Sequence, residues 1–177
     1  IMIYASGLPN YYHFQNVKWN LLLNHQIKIV MTPSFHLIAN AFPAAVVITG
    51  AFILLVGILT HSIQMQKTAL ITMVISALFS IFVASAGYTA KEIIRKTNPE
   101  KVASINLHEE KAQSAFVMIE ILGILAVVTV YQLNKHNSVS SSLIMLCMVL
   151  SLVVGYAMIV SIQSGISLNH QIVQLNE

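Results

Sequence analysis

The sequence predicts an all-α integral membrane protein: a four-helix bundle with its N- and C-termini on the same side of the bilayer. Three observations predict it. The chain of 177 residues is 56% hydrophobic and only 8% charged, whereas soluble domains carry about a quarter charged residues. Its mean hydropathy is +0.77. Four segments each supply the run of about 20 mostly apolar residues that a bilayer core demands. A chain this apolar cannot cover itself with a polar surface in water, so the lipid bilayer is its expected partner and solvent.

Residues 1–30, IMIYASGLPNYYHFQNVKWNLLLNHQIKIV, precede the first span. They are rich in Asn, Ile, Lys and Tyr and show no clear periodicity. They lack the basic start, apolar core and small-residue cleavage site of a secretory signal. They read as an N-terminal extension, non-native or poorly ordered, with Met31 a candidate start. The four-span membrane domain is expected over residues 31–172, and residues 173–177 form a C-terminal tail.

Span one is expected at Leu37–Thr60 and span two at Thr68–Ala90. Pro43 falls in span one, where it is tolerated and favours a kink. Span three is expected at Ala112–Leu133 and span four at Ser142–Ser164. The connections after spans one and three are short, so those pairs are neighbours. The middle connection, residues 91–111, holds most of the charge. Asn98-Pro99-Glu100 reads as an N-cap, an N1 proline and an early acid. Asn106 and Glu109 stand at the N-cap and N3 positions of a capping box. A short interfacial helix between two turns is the expectation there.

Small residues recur at helical spacing: Ser76, Ser80 and Ala84; Ser151 and Gly155; Ser161 and Gly165. Such lines let helix backbones approach closely in lipid, where the hydrophobic effect cannot drive association. They favour a compact bundle and carry no chemistry by themselves.

Several functions are excluded or unsupported. One cysteine, Cys147, rules out an internal disulfide, a C-x-x-C-H haem attachment, and a Cys₄ zinc or iron–sulfur site held by this chain alone. The net charge of +3 leaves too few basic residues for a nucleic-acid footprint. There is no Asp, no G-x-S-x-G, no H-E-x-x-H and no P-loop signature. No catalytic residue is assigned.

The remaining candidates are polar groups at one membrane face. Four spans place both termini and the middle connection on one side, here side A. His36 opens span one, His108 opens span three and His170 follows span four, all on side A. The plain reading is that histidines are at home at an interface, and that Glu109 and Glu110 suit a helix's first turn. The functional reading is a site. Neutral imidazole binds haem iron, copper or zinc, so His36, His108 and His170 are candidate ligands for a metal or a non-covalent haem b.

Glu120 lies inside span three. An intramembrane carboxyl costs a few kcal/mol on insertion scales and usually faces the bundle interior or a water cavity. Gln113 precedes it by seven positions, on the same helix face. Tyr156 and Gln163 of span four are expected to reach a similar interior.

These residues resemble a widespread bacterial family, the four-helix integral membrane domain called domain of unknown function 2231. Its first span opens with a histidine before Phe-Pro, here His36 and Phe42-Pro43. Its second ends in glycine and a polar connection, here Gly87-Tyr88-Thr89-Ala90-Lys91-Glu92. Its third opens with a histidine, here His108. Its fourth ends in glycine and a polar tail, here Ser164-Gly165-Ile166-Ser167-Leu168-Asn169-His170. The likeness covers nearly all of residues 31–172 with short motifs. It departs at Ala41, where the family carries a second histidine, and His170 would have to replace that ligand. Joined cytochrome or Rieske-type domains in relatives imply a redox setting.

Lys18, Lys28, Lys91, Arg95, Lys96, Lys101 and Lys111 fall on side A, against Lys67 and Lys135 on side B. The positive-inside rule then places side A, with the termini, in the cytoplasm of a bacterial inner membrane. The family's joined domains pull weakly the other way. Three functional readings follow: a redox-linked membrane protein holding haem b or a metal between its histidines; a non-catalytic subunit or scaffold, as a homo-oligomer or with membrane partners; and a small proton or ion conductor built on Glu120.

Overall fold

The computed structural model describes residues 33–136 and 140–173; the reading of residues 1–30 falls outside them. They form four helices and no strand. These are α1 (Pro33–Leu59), α2 (Ile63–Thr97), α3 (Val102–His136) and α4 (Ser141–Val173), with one 3₁₀ turn at Pro99–Lys101. All four helices are long and apolar enough to cross a membrane. Each packs on its neighbours in sequence, and α4 closes the ring against α1. The protein is an all-α, multi-pass four-helix bundle, and its apolar helices fit a lipid bilayer.

The α1–α2 turn lies on side B and is built by a Schellman motif. Ser62 N donates to Gly57 O at 2.9 Å and His61 N to Ile58 O at 3.2 Å. His61 takes the left-handed conformation, φ 52°. Ser62 then caps α2, its hydroxyl accepting from Met65 N. The carbonyl of Gly57 also accepts from Gln66 Nε2 at 3.1 Å. A Cβ on Gly57 would stand 2.9 Å from Gln66 N, so only glycine allows this approach.

The middle connection differs from the expectation. There is one turn, at Asn98, and no separate interfacial helix. Residues 91–97 continue α2, and Asn106 lies within the first turns of α3. The capping-box pattern at Asn106 and Glu109 is overridden because both side chains bond across to α2. Asn106 Oδ1 accepts from Arg95, and Glu109 pairs with Lys91. The two helices therefore zip together through the charged stretch. At 35 residues each they are ~52 Å long, against ~30 Å for a hydrocarbon core. Both extend beyond the apolar layer on side A.

One register holds along this hairpin. Lys91 meets Glu109, Ser80 meets Glu120, and the Cβ of Ala77 would touch one built on Gly123. The core runs through the middle and the side-B half: Leu54, Leu70, Met73, Ile119, Leu122, Ala126 and Cys147 are fully buried. Large apolar side chains such as Phe52, Ile124 and Leu152 face outward, as lipid contact demands. The small-residue lines serve packing inside the bundle: Ser76, Ser80, Ser151, Gly155, Ser161 and Gly165 are all buried. Ser76 also ties α2 to α1, its hydroxyl donating to Pro43 O at 2.8 Å.

Candidate functional site

The side-A half of the bundle is not filled. A cavity of about 290 Å³ lies there, bounded by all four helices. Its walls follow from small residues. Ala84, Gly87 and Ala90 of α2, Ala112 and Ala115 of α3, and Gly165 of α4 line it and leave space that larger side chains would occupy. Val83, Ile105, Phe116, Ile119, Met158 and Leu168 complete the apolar lining. The polar lining is sparse: Asn40 from α1, Ser80 from α2, His108 and Gln113 from α3, Ser161 and Asn169 from α4. The Lys91–Glu109 ion pair sits at the outer end.

The exposed residues of the lining are Ala84 and Tyr88 of α2 and Gln113 of α3. All belong to the α2–α3 seam. The cavity thus opens sideways, between two helices, at the level where the apolar spans meet the charged hairpin.

Among the described residues two buried side-chain polar atoms lack a hydrogen-bond partner, Arg95 Nε in the charged hairpin and Ser161 Oγ beside the cavity. Serines inside these helices generally satisfy themselves. Ser80, Ser151 and Ser164 each lie 2.7 Å from the carbonyl three residues earlier and donate to it. Ser161 Oγ has no partner, although the residue is only 1% exposed. A buried hydroxyl left unpaired costs about 1–3 kcal/mol.

His108 is half-buried, and its Nδ1 lies 2.9 Å from Ser164 Oγ. The ring also donates to the backbone carbonyl of Ser161.

Glu120 bonds to Ser80 across the α2–α3 seam, with Ser80 Oγ 2.6 Å from Oε1. Nine residues beyond Lys111, Glu120 lies ~14 Å along the helix, near the middle of a ~30 Å core. Ser80 carries one proton between two acceptors, Ala77 O and Glu120. Either that proton goes to a carboxylate, or a carboxylic acid donates to Ser80 while Ser80 donates to Ala77.

The other predicted residues lie as follows. His36 falls in the first turns of α1, one helical turn before Asn40; its side chain is outside the described residues. His170 is exposed and does not line the cavity. Gln113 lines the lateral opening. Tyr156 is 71% exposed, and Gln163 is exposed too; neither shares an interior with Glu120, because their positions on α4 face away from α1 and α3. Asn40, buried and facing the cavity, and Ala41, exposed, show that a histidine at position 41 would sit on the outer face.

A bis-histidine haem needs two imidazoles facing each other. Among the described residues, His108 alone of the histidines lines the cavity, and no group of three His, Cys, Asp or Glu side chains is placed to hold a metal ion. The pair His108 and His170 does not fit such a site. Searches of family models, of curated proteins and of solved structures find no match to the chain. The family resemblance rests on the short motifs quoted for it.

The sequence flagged Ser161 and Ser80 only as small packing residues. The signal that separates Ser161 from the rest is its missing partner, which exists only in three dimensions.

Proposed function

We propose that this chain is a membrane-embedded binding protein for a small lipid-soluble molecule, taken into the side-A cavity between α2 and α3. The observation that carries this reading is the unpaired hydroxyl of Ser161 in an otherwise mostly apolar cavity. Ligand sites in proteins are largely apolar with a few placed polar groups, and a volume of about 290 Å³ matches the lower end of their ~300–1,000 Å³ range. The hydroxyl needs an acceptor, and its oxygen is closed off from the cavity space, so the ligand carries a carbonyl or similar oxygen that reaches it as the wall adjusts. The lateral opening lets a tail remain in the leaflet while the head enters. On the same reading side A faces the cytoplasm, from the excess of Lys and Arg on the α2–α3 hairpin.

A lipid-soluble carbonyl compound such as a quinone in this cavity would also serve the redox-linked reading. The scaffold reading has less support, because the small-residue faces are consumed inside the bundle.

The test uses delipidated protein in detergent, titrated with a short-tailed benzoquinone and with a monoacylglycerol of equal chain length. A ligand that binds only the native state stabilises it by RT ln(1 + [L]/Kd), ~2.7 kcal/mol at a hundredfold excess over Kd, and raises the melting temperature accordingly. The expected result is stabilisation by at least one probe, weakened in Ser161→Ala. No shift with either probe, and no lipid-soluble molecule retained on purification, would overturn the proposal.

A further inference from the structure

The geometry points to Glu120 as a proton-exchange site that communicates with side A through the cavity and not with side B. This inference uses the cavity but not its ligand, so it stands or falls separately from the binding reading.

Ser80 lines the cavity and lies 2.6 Å from Glu120 Oε1. The cavity is mostly apolar, but Asn40, Ser80, Gln113 and Asn169 line it and supply the polar partners that water needs when no ligand fills the space. The step balances simply: Ser80 passes its hydroxyl proton to the carboxylate and takes one from cavity water, which is replenished from side A. The reverse returns the proton. No other reactant is needed.

The side-B half offers no such route. Leu54, Leu70, Met73, Leu122, Ala126 and Cys147 fill it. Its buried hydroxyls are each committed to a backbone carbonyl: Ser76 donates to Pro43 O at 2.8 Å, Thr129 to Leu125 O at 2.7 Å and Ser151 to Met148 O at 2.7 Å. The α2–α3 backbones also close tightly just below Glu120, where Gly123 meets Ala77. A single copy therefore provides half a proton path. That explains how a thin bundle can carry an intramembrane carboxyl without leaking.

Among the described residues, the titratable groups along the cavity are Tyr88 and Lys91 on α2 and His108 and Glu109 on α3. The cavity residues from α1 and α4 are Asn40, Met158, Ser161, Gly165, Leu168 and Asn169, none of which titrates. A pH response at Glu120 is thus read against those four groups.

The experiment is labelling by dicyclohexylcarbodiimide, a membrane-permeant reagent that reacts with protonated carboxyls. The acid proton moves to a carbodiimide nitrogen, the carboxyl oxygen joins its central carbon, and rearrangement leaves a stable N-acylurea. The unmodified protein is reconstituted into vesicles whose orientation is read by trypsin cleavage at Lys96 and Lys101. The pH is set independently on each face, and modification is located by peptide mass spectrometry. Labelling of Glu120 is expected to rise as side-A pH falls and to ignore side-B pH. Ser80→Ala is expected to slow the response to a side-A pH jump, and Glu120→Gln to abolish labelling at that position. Labelling that follows side-B pH, or follows both faces equally, overturns the inference. So does a Glu120 that never labels at any pH. Because the two-sided pH response is read on the unmodified chain, a misfolded variant cannot decide the outcome.

Discussion

Ser161→Ala gives the most discriminating prediction, because it should move two quantities in opposite directions. In the empty protein the hydroxyl is buried and unpaired. Its desolvation costs about 1–3 kcal/mol with nothing in return. Alanine removes that group and changes little else in a cavity wall, so the delipidated variant should be more stable by about 1 kcal/mol. For a chain of this size that is a rise of roughly 2–4 °C in melting temperature. With ligand present the hydroxyl gains its acceptor, and a neutral hydrogen bond contributes about 0.5–1.5 kcal/mol net. Losing it should raise Kd about two- to twelvefold. Thermal melts of delipidated wild type and variant, with and without the benzoquinone, read both effects on one instrument. A serine with a purely structural role predicts the opposite first result. If Ser161→Ala destabilises the empty protein by 1 kcal/mol or more and leaves ligand binding unchanged, the reasoning from the orphan hydroxyl fails.

Gly123→Ala should destabilise the bundle by about 1 kcal/mol. The new Cβ would stand 2.5 Å from Ala77 Cβ, and overpacking of about 1–3 kcal/mol outweighs the ~1 kcal/mol gained in helix propensity; detergent melts check it. His61→Gly should stabilise by about 0.5–1 kcal/mol, since a left-handed residue costs ~1–2 kcal/mol and glycine's extra unfolded freedom returns part of that; the same melts measure it, and a loss of stability would count against the Schellman turn. A double-mutant cycle on Lys91 and Glu109 should give a coupling of no more than ~1 kcal/mol that shrinks with salt, because the glutamate side chain is 40% exposed.

The fold was legible because each span is a continuous apolar run, and helices are the only open-ended way to satisfy a backbone in lipid. The hairpin was less so. Asn106 and Glu109 carry the letters of a capping box, yet cross-helix partners Arg95 and Lys91 override local propensity. Glu120's need for a partner could be stated from one sequence; its partner, Ser80, depends on the α2–α3 register. Tyr156 misled because position along a span does not say which face meets lipid. The cavity was illegible for the same reason. Ala84 and Gly165 read as close-packing residues, and only their convergence with Gly87 and Ala112 at one level turns tight packing into empty space.

Were the cavity sealed and empty, about 290 Å³ at ~24 cal/mol per Å³ would cost on the order of 7 kcal/mol. That rivals the whole stability of an ordinary domain, ~5–15 kcal/mol. Two features reduce the penalty without filling the space with side chains. The exposed lining at Ala84, Tyr88 and Gln113 leaves the void unsealed. And the hairpin above it is held by the Lys91–Glu109 and Arg95–Asn106 contacts, so α2 and α3 cannot collapse inward around the gap. Below it, the Ala77–Gly123 contact fixes the same two helices from the other side. A pair of helices braced above and below an apolar opening, with one unpaired hydroxyl at its inner wall, retains space that packing alone would remove. Occupancy by a molecule with an oxygen for Ser161 removes both costs at once, the void and the orphan donor.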